Sequence, residues 1–311
     1  MGTVIEARGL VKRYGTRKGA PAIEDLNLSI PSGQLYGLVG PDGAGKTTTL
    51  RILSTVMEAG AGTANVAGYD VKTQAEQARR HIGYMPQNFS LYPDLSVIEN
   101  LNFFADIQQV PGGIKRQRIP EMLAFTRLDR FQARRAGKLS GGMKKKLALA
   151  CALIHAPEVL LLDEPSTGVD PVSRRELWVM LAQVVQKGVT VLVSTPYMDE
   201  AERCHTVGVL YQGHLLTSGS PEALKAALPF RIVEVKARPR KAIRRIVGQT
   251  DGILDWRPVG DRLRLAVSDP AQVIQSLSAR FEEEGLEVRV LRQANGMMED
   301  VFVHMVQERR E

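Results

Sequence analysis

The sequence contains only two cysteines among 311 residues, Cys151 and Cys204, and it has no long apolar run. Two scattered cysteines give neither a disulfide framework nor the spacing of a metal site. No apolar stretch approaches the roughly 20 residues that a membrane-spanning helix needs. The N-terminal segment also lacks the apolar region of a signal peptide. We therefore expect a protein of the reducing cytoplasm.

Acidic residues are fewer than basic ones, 34 against 41, which gives a formal net charge of +7. Part of the excess is local, in a run of cations that consists of Lys236, Arg238, Arg240, Lys241, Arg244 and Arg245. No aromatic residue alternates with these cations to stack on bases. A solvated helix face is therefore favoured over a surface for lipid headgroups or nucleic acid, and no nucleic acid partner is expected.

The most informative segment lies between a predicted strand, residues 34–39, and a predicted helix. Residues 40–47 match the pattern G-x-x-x-x-G-K-[ST]. With the next residue, the predicted ATP-binding segment is Gly40, Pro41, Asp42, Gly43, Ala44, Gly45, Lys46, Thr47 and Thr48. Glycines let the backbone wrap around a phosphate chain, and the helix N-terminus favours negative charge. The pattern predicts that Lys46 reaches the β- and γ-phosphates of a nucleotide and that Thr47 ligates Mg²⁺.

A second chemical element is a pair of carboxylates, Asp163 and Glu164, directly after the apolar residues 159–162. A buried strand that ends here can place Asp163 beside the Mg²⁺ of a bound nucleotide. Glu164 can then orient and deprotonate an attacking water. Acidic residues commonly end strands for other reasons, but the phosphate loop upstream favours the catalytic interpretation.

The third element is Leu139-Ser140-Gly141-Gly142-Met143, which precedes a lysine-rich helix. With it, residues 4 to about 225 resemble the ATP-binding cassette (ABC) ATPases. The resemblance implies an α/β fold of the P-loop NTPase type, with a mixed β core and a helical subdomain. It also implies that two ATPase domains enclose two ATP molecules head to tail. Ser140, Gly141 and Gly142 would then cap the γ-phosphate that the partner's loop holds.

The resemblance assigns roles to four further positions. Tyr14 would stack on adenine, Gln87 would contact Mg²⁺ and the attacking water, and Asp170 would lie in the loop across the dimer interface. Pro196 stands where the family usually has a histidine that bonds the γ-phosphate. Proline offers neither a side-chain donor nor a backbone N–H, so slow turnover is expected at this chain's own site. None of the histidines has the spacing to replace it: His81, His155, His205, His214 and His304.

Helix starts are predicted from two capping boxes. Ser96 with Glu99 opens the helix-rich section, and Ser173 with Glu176 opens a later helix. The predicted order of elements changes near Leu228. Before it, strands and helices alternate; after it, the sequence predicts a strand, a hairpin and a helix.

Two domains are therefore predicted. Residues 1–228 would form the ABC ATP-binding domain, with a helical subdomain at about 88–158, and residues 229–311 a small accessory α+β domain. The basic run falls within the second domain.

Within the family, the motifs look like those of ATP-binding subunits of ABC-2 type exporters, and most of all the YbhF-like drug-efflux branch. The resemblance implies a motor that uses ATP and Mg²⁺, pairs with a second ABC ATPase and drives a separate membrane permease from the inner face of the membrane. One alternative is a regulatory half of a heterodimer, which Pro196 would favour. Another is an ABC protein of translation or DNA repair, although the charged linker and coiled coils of those classes are missing.

Overall fold

In the computed structural model, residues 2–15, 21–88 and 91–309 are described. They form two compact units, which divide between Pro221 and Glu222. The sequence-based division after residue 228 stays a prediction. Among the described residues, no helix combines the length and the apolar character that a membrane crossing requires.

The first unit combines strands and helices throughout. Its strands are β1 (Thr3–Lys12), β2 (Ile23–Pro31), β3 (Leu35–Val39), β4 (Ala61–Val66), β5 (Tyr69–Asp70), β6 (Ile82–Met85), β7 (Val159–Asp163), β8 (Thr190–Thr195), β9 (Thr206–Tyr211) and β10 (His214–Gly219). Its helices are α1 (Lys46–Leu53), α2 (Ala75–Arg80), α3 (Val97–Ile107), α4 (Gly112–Thr126), α5 (Gly141–Leu153), α6 (Pro171–Gln186) and α7 (Met198–Ala201), and α8 (Pro221–Ala226) spans the division between the units.

Two sheets form the β core of the first unit. One is antiparallel, in the order β2-β1-β4-β5, and the other runs β10-β9-β3-β8-β7-β6. In the second sheet all neighbours are parallel except β9 and β10. Strands β3, β7 and β8 are buried at every position, as expected for parallel strands with both faces covered. A single apolar cluster that includes Ile5, Leu26, Leu38, Leu50 and Leu161 connects both sheets with α1.

The order of the parallel strands determines which loops meet. Strand β8 lies between β3 and β7, with Val39 opposite Thr195 and Asp163 opposite Ser194. Ligands of open α/β sheets bind beyond the carboxyl ends of the strands. The loops after β3, β7 and β8 therefore share one edge of the sheet.

The helical section confirms one predicted helix start. Ser96 caps α3, its hydroxyl accepts from the Glu99 amide, and the Glu99 carboxylate accepts from the Ser96 amide. Helices α3, α4 and α5 pack against one another, with Leu101 and Leu147 fully buried.

The second predicted capping box is wrong. Helix α6 begins at Pro171, and Asp170 Oδ1 accepts from the amides of Val172 and Ser173 at 3.1 and 2.9 Å. Aspartate followed by proline is the stronger start signal, because proline fits the first helical position, where no N–H is needed. Glu176 instead pairs with Lys146.

The second unit has its own sheet and its own core. It comprises β11 (Arg231–Arg238), α9 (Arg240–Gly248), β12 (Ile253–Val259), β13 (Arg262–Val267), α10 (Pro270–Glu283), β14 (Glu287–Ala294) and α11 (Met298–Glu308). The antiparallel order is β12-β13-β11-β14, and the β12–β13 pair confirms the predicted hairpin. The apolar core includes Val233, Ile246, Leu265, Leu277 and Phe281. These observations confirm an α+β architecture for this part of the chain.

The basic run lies at the end of β11 and along α9. Ile243 and Ile246 on one side of α9 enter the core, while Arg240, Lys241 and Arg244 are exposed. Lys236 pairs with Asp261, and Arg245 pairs with Glu284. The part of the run in α9 therefore forms the outer side of an amphipathic helix.

Candidate functional site

The phosphate loop, residues 40–47, joins β3 to α1 at the carboxyl edge of the parallel sheet. Gly45 caps α1 with a φ of 107°, and a Cβ there would lie 2.4 Å from the carbonyl oxygen of Ala22. Only glycine fits this backbone without strain. Asp42 and Gly43 are exposed at the tip, whereas Ala44 is buried. The loop is thus open on the side where a phosphate chain would approach.

Lys46 places a buried positive charge inside this loop. Its Nζ donates to the carbonyl oxygens of Gly40 and Pro41 at 2.8 and 3.0 Å. The same Nζ lies 3.5 Å from Glu164 Oε1, and both side chains are almost fully buried. The first and second sequence elements are therefore in direct contact.

Asp163 ends β7 beside the start of α1. Its Oδ1 accepts from the hydroxyls of Thr47 and Ser194 at 3.0 and 2.7 Å. Its Oδ2 is buried and has no hydrogen-bond partner among the described residues. A buried carboxylate oxygen without a donor is costly, and a cation would satisfy it.

These side chains fit Mg²⁺, the ion that the fold family implies. Asp163, whose Oδ2 is orphaned, accepts from the Thr47 hydroxyl through Oδ1, and the Gln87 amide is bonded to the neighbouring Glu164. Hydroxyl, carboxylate and amide oxygens are the hard ligands that Mg²⁺ prefers.

Glu164 is held from several sides. Its Oε2 accepts from Gln87 Nε2 at 2.9 Å and from Thr167 Oγ1 at 3.2 Å. Its amide donates to Ser194 Oγ at 3.0 Å, and its φ of 47° lies in the left-handed region. A non-glycine residue in this conformation needs surroundings that fix it. The arrangement orients a carboxylate that could accept a proton from water.

Tyr14 lies near the phosphate loop with half of its surface exposed. Its hydroxyl is 3.1 Å from Thr48 Oγ1 and 3.2 Å from Met57 Sδ, and the residue is 49% exposed. The ring is thus available at the edge of the site. Stacking of this ring on adenine stays a prediction.

The signature residues and the interface loop lie against each other. Ser140 caps α5, and its hydroxyl accepts from the Met143 amide at 3.3 Å. A Cβ on Gly142 would lie 2.2 Å from Ser173 Oγ, so α5 and α6 approach closely here. The hydrogen bond from the Ser173 hydroxyl is the main cause that lowers the pKa of Asp170, the cap of α6.

In the part of the chain that the structure describes, Ser140 and the interface-loop residue Asp170 lie apart from the carboxylate cluster. Among residues 2–15, 21–88 and 91–309, no hydrogen bond connects Ser140 or Asp170 with Lys46, Asp163 or Glu164. Within one chain, these residues thus form a second group, separate from the phosphate loop.

Pro196 directly follows β8 and is half-buried. The neighbouring Thr195 hydroxyl accepts from the Tyr197 amide at 3.1 Å and donates to the fully buried Glu200. Glu200 also accepts from Arg174 Nε at 2.6 Å and from Trp178 Nε1 at 3.1 Å. Residue 196 itself contributes no N–H donor to this region.

Sequence reasoning missed two side chains of the site, Ser194 and Lys145. Ser194 connects the carboxylates, because it bonds both Asp163 Oδ1 and the Glu164 amide. Lys145 Nζ donates to the Gln87 carbonyl oxygen at 3.2 Å. Burial lowers the pKa of Lys145, while the Asp163 and Glu164 carboxylates oppose that shift. Pairing β8 with β7 places Ser194 opposite Asp163, and this register could have identified Ser194. No periodic pattern distinguishes Lys145 from the lysines on either side of it.

The fold and the site together define a P-loop nucleotide-binding ATPase. A family profile described as "ABC transporter" matches residues 23–167. The chain is also 34% identical to the daunorubicin resistance ATP-binding protein DrrA2 of Streptomyces coeruleorubidus, over 100% of this chain and 97% of that protein. The chain therefore belongs to the ATP-hydrolysing ABC transporter family, as the motifs predict.

Two further relatives carry exporter names. The probable multidrug ABC transporter ATP-binding protein YbhF of Escherichia coli is 42% identical over 92% of this chain, but the chain spans only 52% of that relative. The Nod factor export ATP-binding protein I of Ralstonia nicotianae is 35% identical over 97% of this chain and 93% of its own length.

Solved structures confirm the cassette fold. An ATP-binding subunit of an ABC transporter aligns with a TM-score of 0.65 and 28% identity, covering 72% of this chain and 92% of that chain. A dimeric ATP-binding cassette bound to ADP and Pi aligns with a TM-score of 0.64 and 25% identity, covering 70% of this chain and 98% of that one.

Proposed function

We propose that this chain is the ATP-hydrolysing motor subunit of an ABC-2 type exporter for drugs or other small molecules. The observation that carries the proposal is the convergence of Lys46, Asp163, Glu164 and Gln87 on one edge of the parallel sheet. The names of the relatives, which include multidrug transport and daunorubicin resistance, support the exporter class.

The chemistry follows from the positions of the side chains. Lys46 and the loop amides bind the β- and γ-phosphates. Thr47, Asp163 and Gln87 would hold Mg²⁺, which would neutralise phosphate charge. Glu164 accepts a proton from the attacking water, and Gln87 keeps the carboxylate oriented through its 2.9 Å bond. Tyr14 supports the adenine ring.

ATP then joins two ATPase subunits. Ser140, Gly141 and Gly142 cap the nucleotide on the partner's loop, because a helix N-terminus with free amides favours phosphate. Asp170 lies in the interface beside them. ATP binding closes the dimer and hydrolysis reopens it, and this cycle drives a permease.

Light scattering tests the closure. Glu164→Gln with MgATP should give a dimer, and adding Ser140→Arg should restore the monomer without loss of ATP binding. A Glu164→Gln protein that binds ATP and stays monomeric would contradict closure as a homodimer.

A heterodimer is the second candidate, and Pro196 is the observation that favours it. In that case this chain binds ATP, while its signature completes a faster site on a different subunit. A pull-down from membranes that recovers a second, non-identical ABC ATPase would favour this candidate over the homodimer.

A cleft in the first unit suits the permease. It has a volume of about 360 Å³ and lies between residues that follow α1 and residues of α3 and α5. Val56 and Ile107 border it and are 64% and 57% exposed, although both are apolar. Exposed apolar side chains around a cleft are typical of interaction sites. We propose that a cytoplasmic helix of the permease binds here, which places the chain at the inner face of the membrane.

Co-purification tests the permease proposal. Val56→Glu with Ile107→Glu should abolish recovery with a membrane protein while ATP binding persists. Val179→Glu, at a 53% exposed apolar position of α6 outside the cleft, is the matched control. Recovery with ribosomes or DNA instead would favour the translation or repair class.

A further inference from the structure

Lys145 is a buried lysine in the helix that begins with the signature. It is 4% exposed, whereas its neighbours Lys144 and Lys146 are only partly buried, and Lys146 pairs with Glu176. A buried ammonium group is costly unless partners compensate for the lost water. The partners of Lys145 therefore indicate why a lysine stands here.

The ammonium group of Lys145 connects two loops at the carboxyl edge of the sheet. Its Nζ lies 3.2 Å from the carbonyl oxygen of Gln87, after β6, and 3.5 Å from that of Glu164, after β7. The side chains of Gln87 and Glu164 are bonded to each other at 2.9 Å. Lys145 thus contacts the backbones of Gln87 and Glu164, the two residues whose side chains bond each other.

Glu164 needs such support more than an ordinary residue does. Its left-handed backbone persists only when the surroundings fix it. Residue 196, the proline after β8, brings no donor to this region. The contacts that Lys145 of α5 makes with the Gln87 and Glu164 carbonyl oxygens are therefore well placed to hold Glu164 in position.

We propose that Lys145 is a positioning residue for ATP hydrolysis, which fixes the catalytic carboxylate of Glu164 and the amide of Gln87 through their backbone carbonyls. The proposal rests on the proposed ATPase function. It assigns a role to a residue outside the phosphate loop, the carboxylate pair and the signature.

Turnover and ATP affinity are measured for Lys145→Met, Lys145→Arg and the matched control Lys144→Met. Lys145→Met should lower kcat by about 10- to 100-fold, the range expected when a catalytic group moves slightly, with ATP affinity unchanged. Lys145→Arg should restore part of kcat, because it keeps the charge and donors, and Lys144→Met should resemble the wild type. If Lys145→Met loses ATP binding, Lys145→Gln, which keeps an uncharged donor, replaces it.

Hydrogen exchange gives a second measurement that needs no turnover. The backbone amides of residues 85, 87 and 88 and of residues 163, 164, 166 and 167 should exchange faster in Lys145→Met than in the wild type or Lys144→Met. Unchanged exchange in both loops of Lys145→Met would overturn the proposal, whatever its kcat. Faster exchange with an unchanged kcat would overturn it too. A wild type without turnover would overturn the proposed function instead, and exchange would still decide whether Lys145 holds the loops.

Discussion

At the scale of single residues, short polar side chains fix the two carboxylates at the end of β7. Ser194 bonds Asp163 and the Glu164 amide, while Thr167 and Gln87 bond the Glu164 carboxylate. Each bond restricts a rotamer before any nucleotide binds. Electrostatic stabilisation by groups that are already oriented is usually the largest contribution to catalysis.

Pro196 gives the first residue-scale prediction. Pro196→His should raise kcat for ATP hydrolysis by up to about 10²–10³-fold, because loss of one oriented hydrogen-bond donor to a developing charge lowers kcat by that factor. Turnover of the purified protein measures it. Tyr197→His, which adds an imidazole one position later, should leave turnover unchanged; the absence of a gain in Pro196→His would show that the proline does not limit this site.

At this scale, the sequence predicts a site residue when its role follows from a single short motif. The phosphate loop and the strand ending in Asp163 and Glu164 meet this condition. Lys145 and Ser194 do not, because each acts on residues far along the chain and only the fold brings them together.

At the scale of elements, close packing of α5 on α6 brings the signature beside the interface loop. Gly142 makes this packing possible, since any Cβ would be 2.2 Å from Ser173 Oγ and 2.5 Å from Ser173 Cβ. The two helices would have to separate to accept a larger residue.

Gly142→Ala should therefore destabilise the first unit by about 1–3 kcal/mol, the usual cost of overpacking. Urea unfolding followed by fluorescence measures the change. Gly141→Ala is the control, because its Cβ would meet only the Gly168 carbonyl oxygen at 3.6 Å. Equal stability of the two variants would contradict the packing argument.

Element boundaries show where local patterns compete. The Ser96–Glu99 box is confirmed, because both of its reciprocal hydrogen bonds form. The Ser173–Glu176 box is wrong because Asp170 and Pro171 start the helix three positions earlier. Helix α9 has the apolar and basic sides that its sequence indicates, and its basic side is solvated.

At the scale of the whole molecule, the chain divides into a unit with the phosphate loop and a unit with a buried ionic network. Arg264 is 2% exposed and bonds Glu234 at 2.8 Å and Asp300 at 3.0 Å. Removal of Arg264 leaves the Glu234 and Asp300 carboxylates buried, with more exposed arginines, among them Arg262 and Arg257, left to compensate them.

Arg264→Met should therefore destabilise the second unit by about 3–5 kcal/mol, the range for a broken buried pair. ATP affinity should not change, because Lys46, Asp163 and Glu164 all belong to the first unit. Calorimetry with and without MgATP measures both effects, since a ligand stabilises only the unit that binds it. Arg289→Met, at a half-exposed pair with Glu287, is the control; equal stability of the two variants would contradict the role of the network.

A change of sequence pattern near residue 228 predicts two domains, but no sequence pattern predicts the ionic network. Glu234, Arg264 and Asp300 are separated along the chain and look like ordinary surface charges until β11, β13 and α11 meet.

The most direct test of the motor proposal compares the purified wild type with Glu164→Gln. The wild type should hydrolyse MgATP, and Glu164→Gln should lose at least about 10²-fold in turnover, as expected when a general base is removed, with ATP affinity retained. Glu158→Gln, an exposed acid just before β7, is the matched control and should hydrolyse ATP normally. Turnover in Glu164→Gln at the wild-type rate would contradict the assignment of Glu164 as the base.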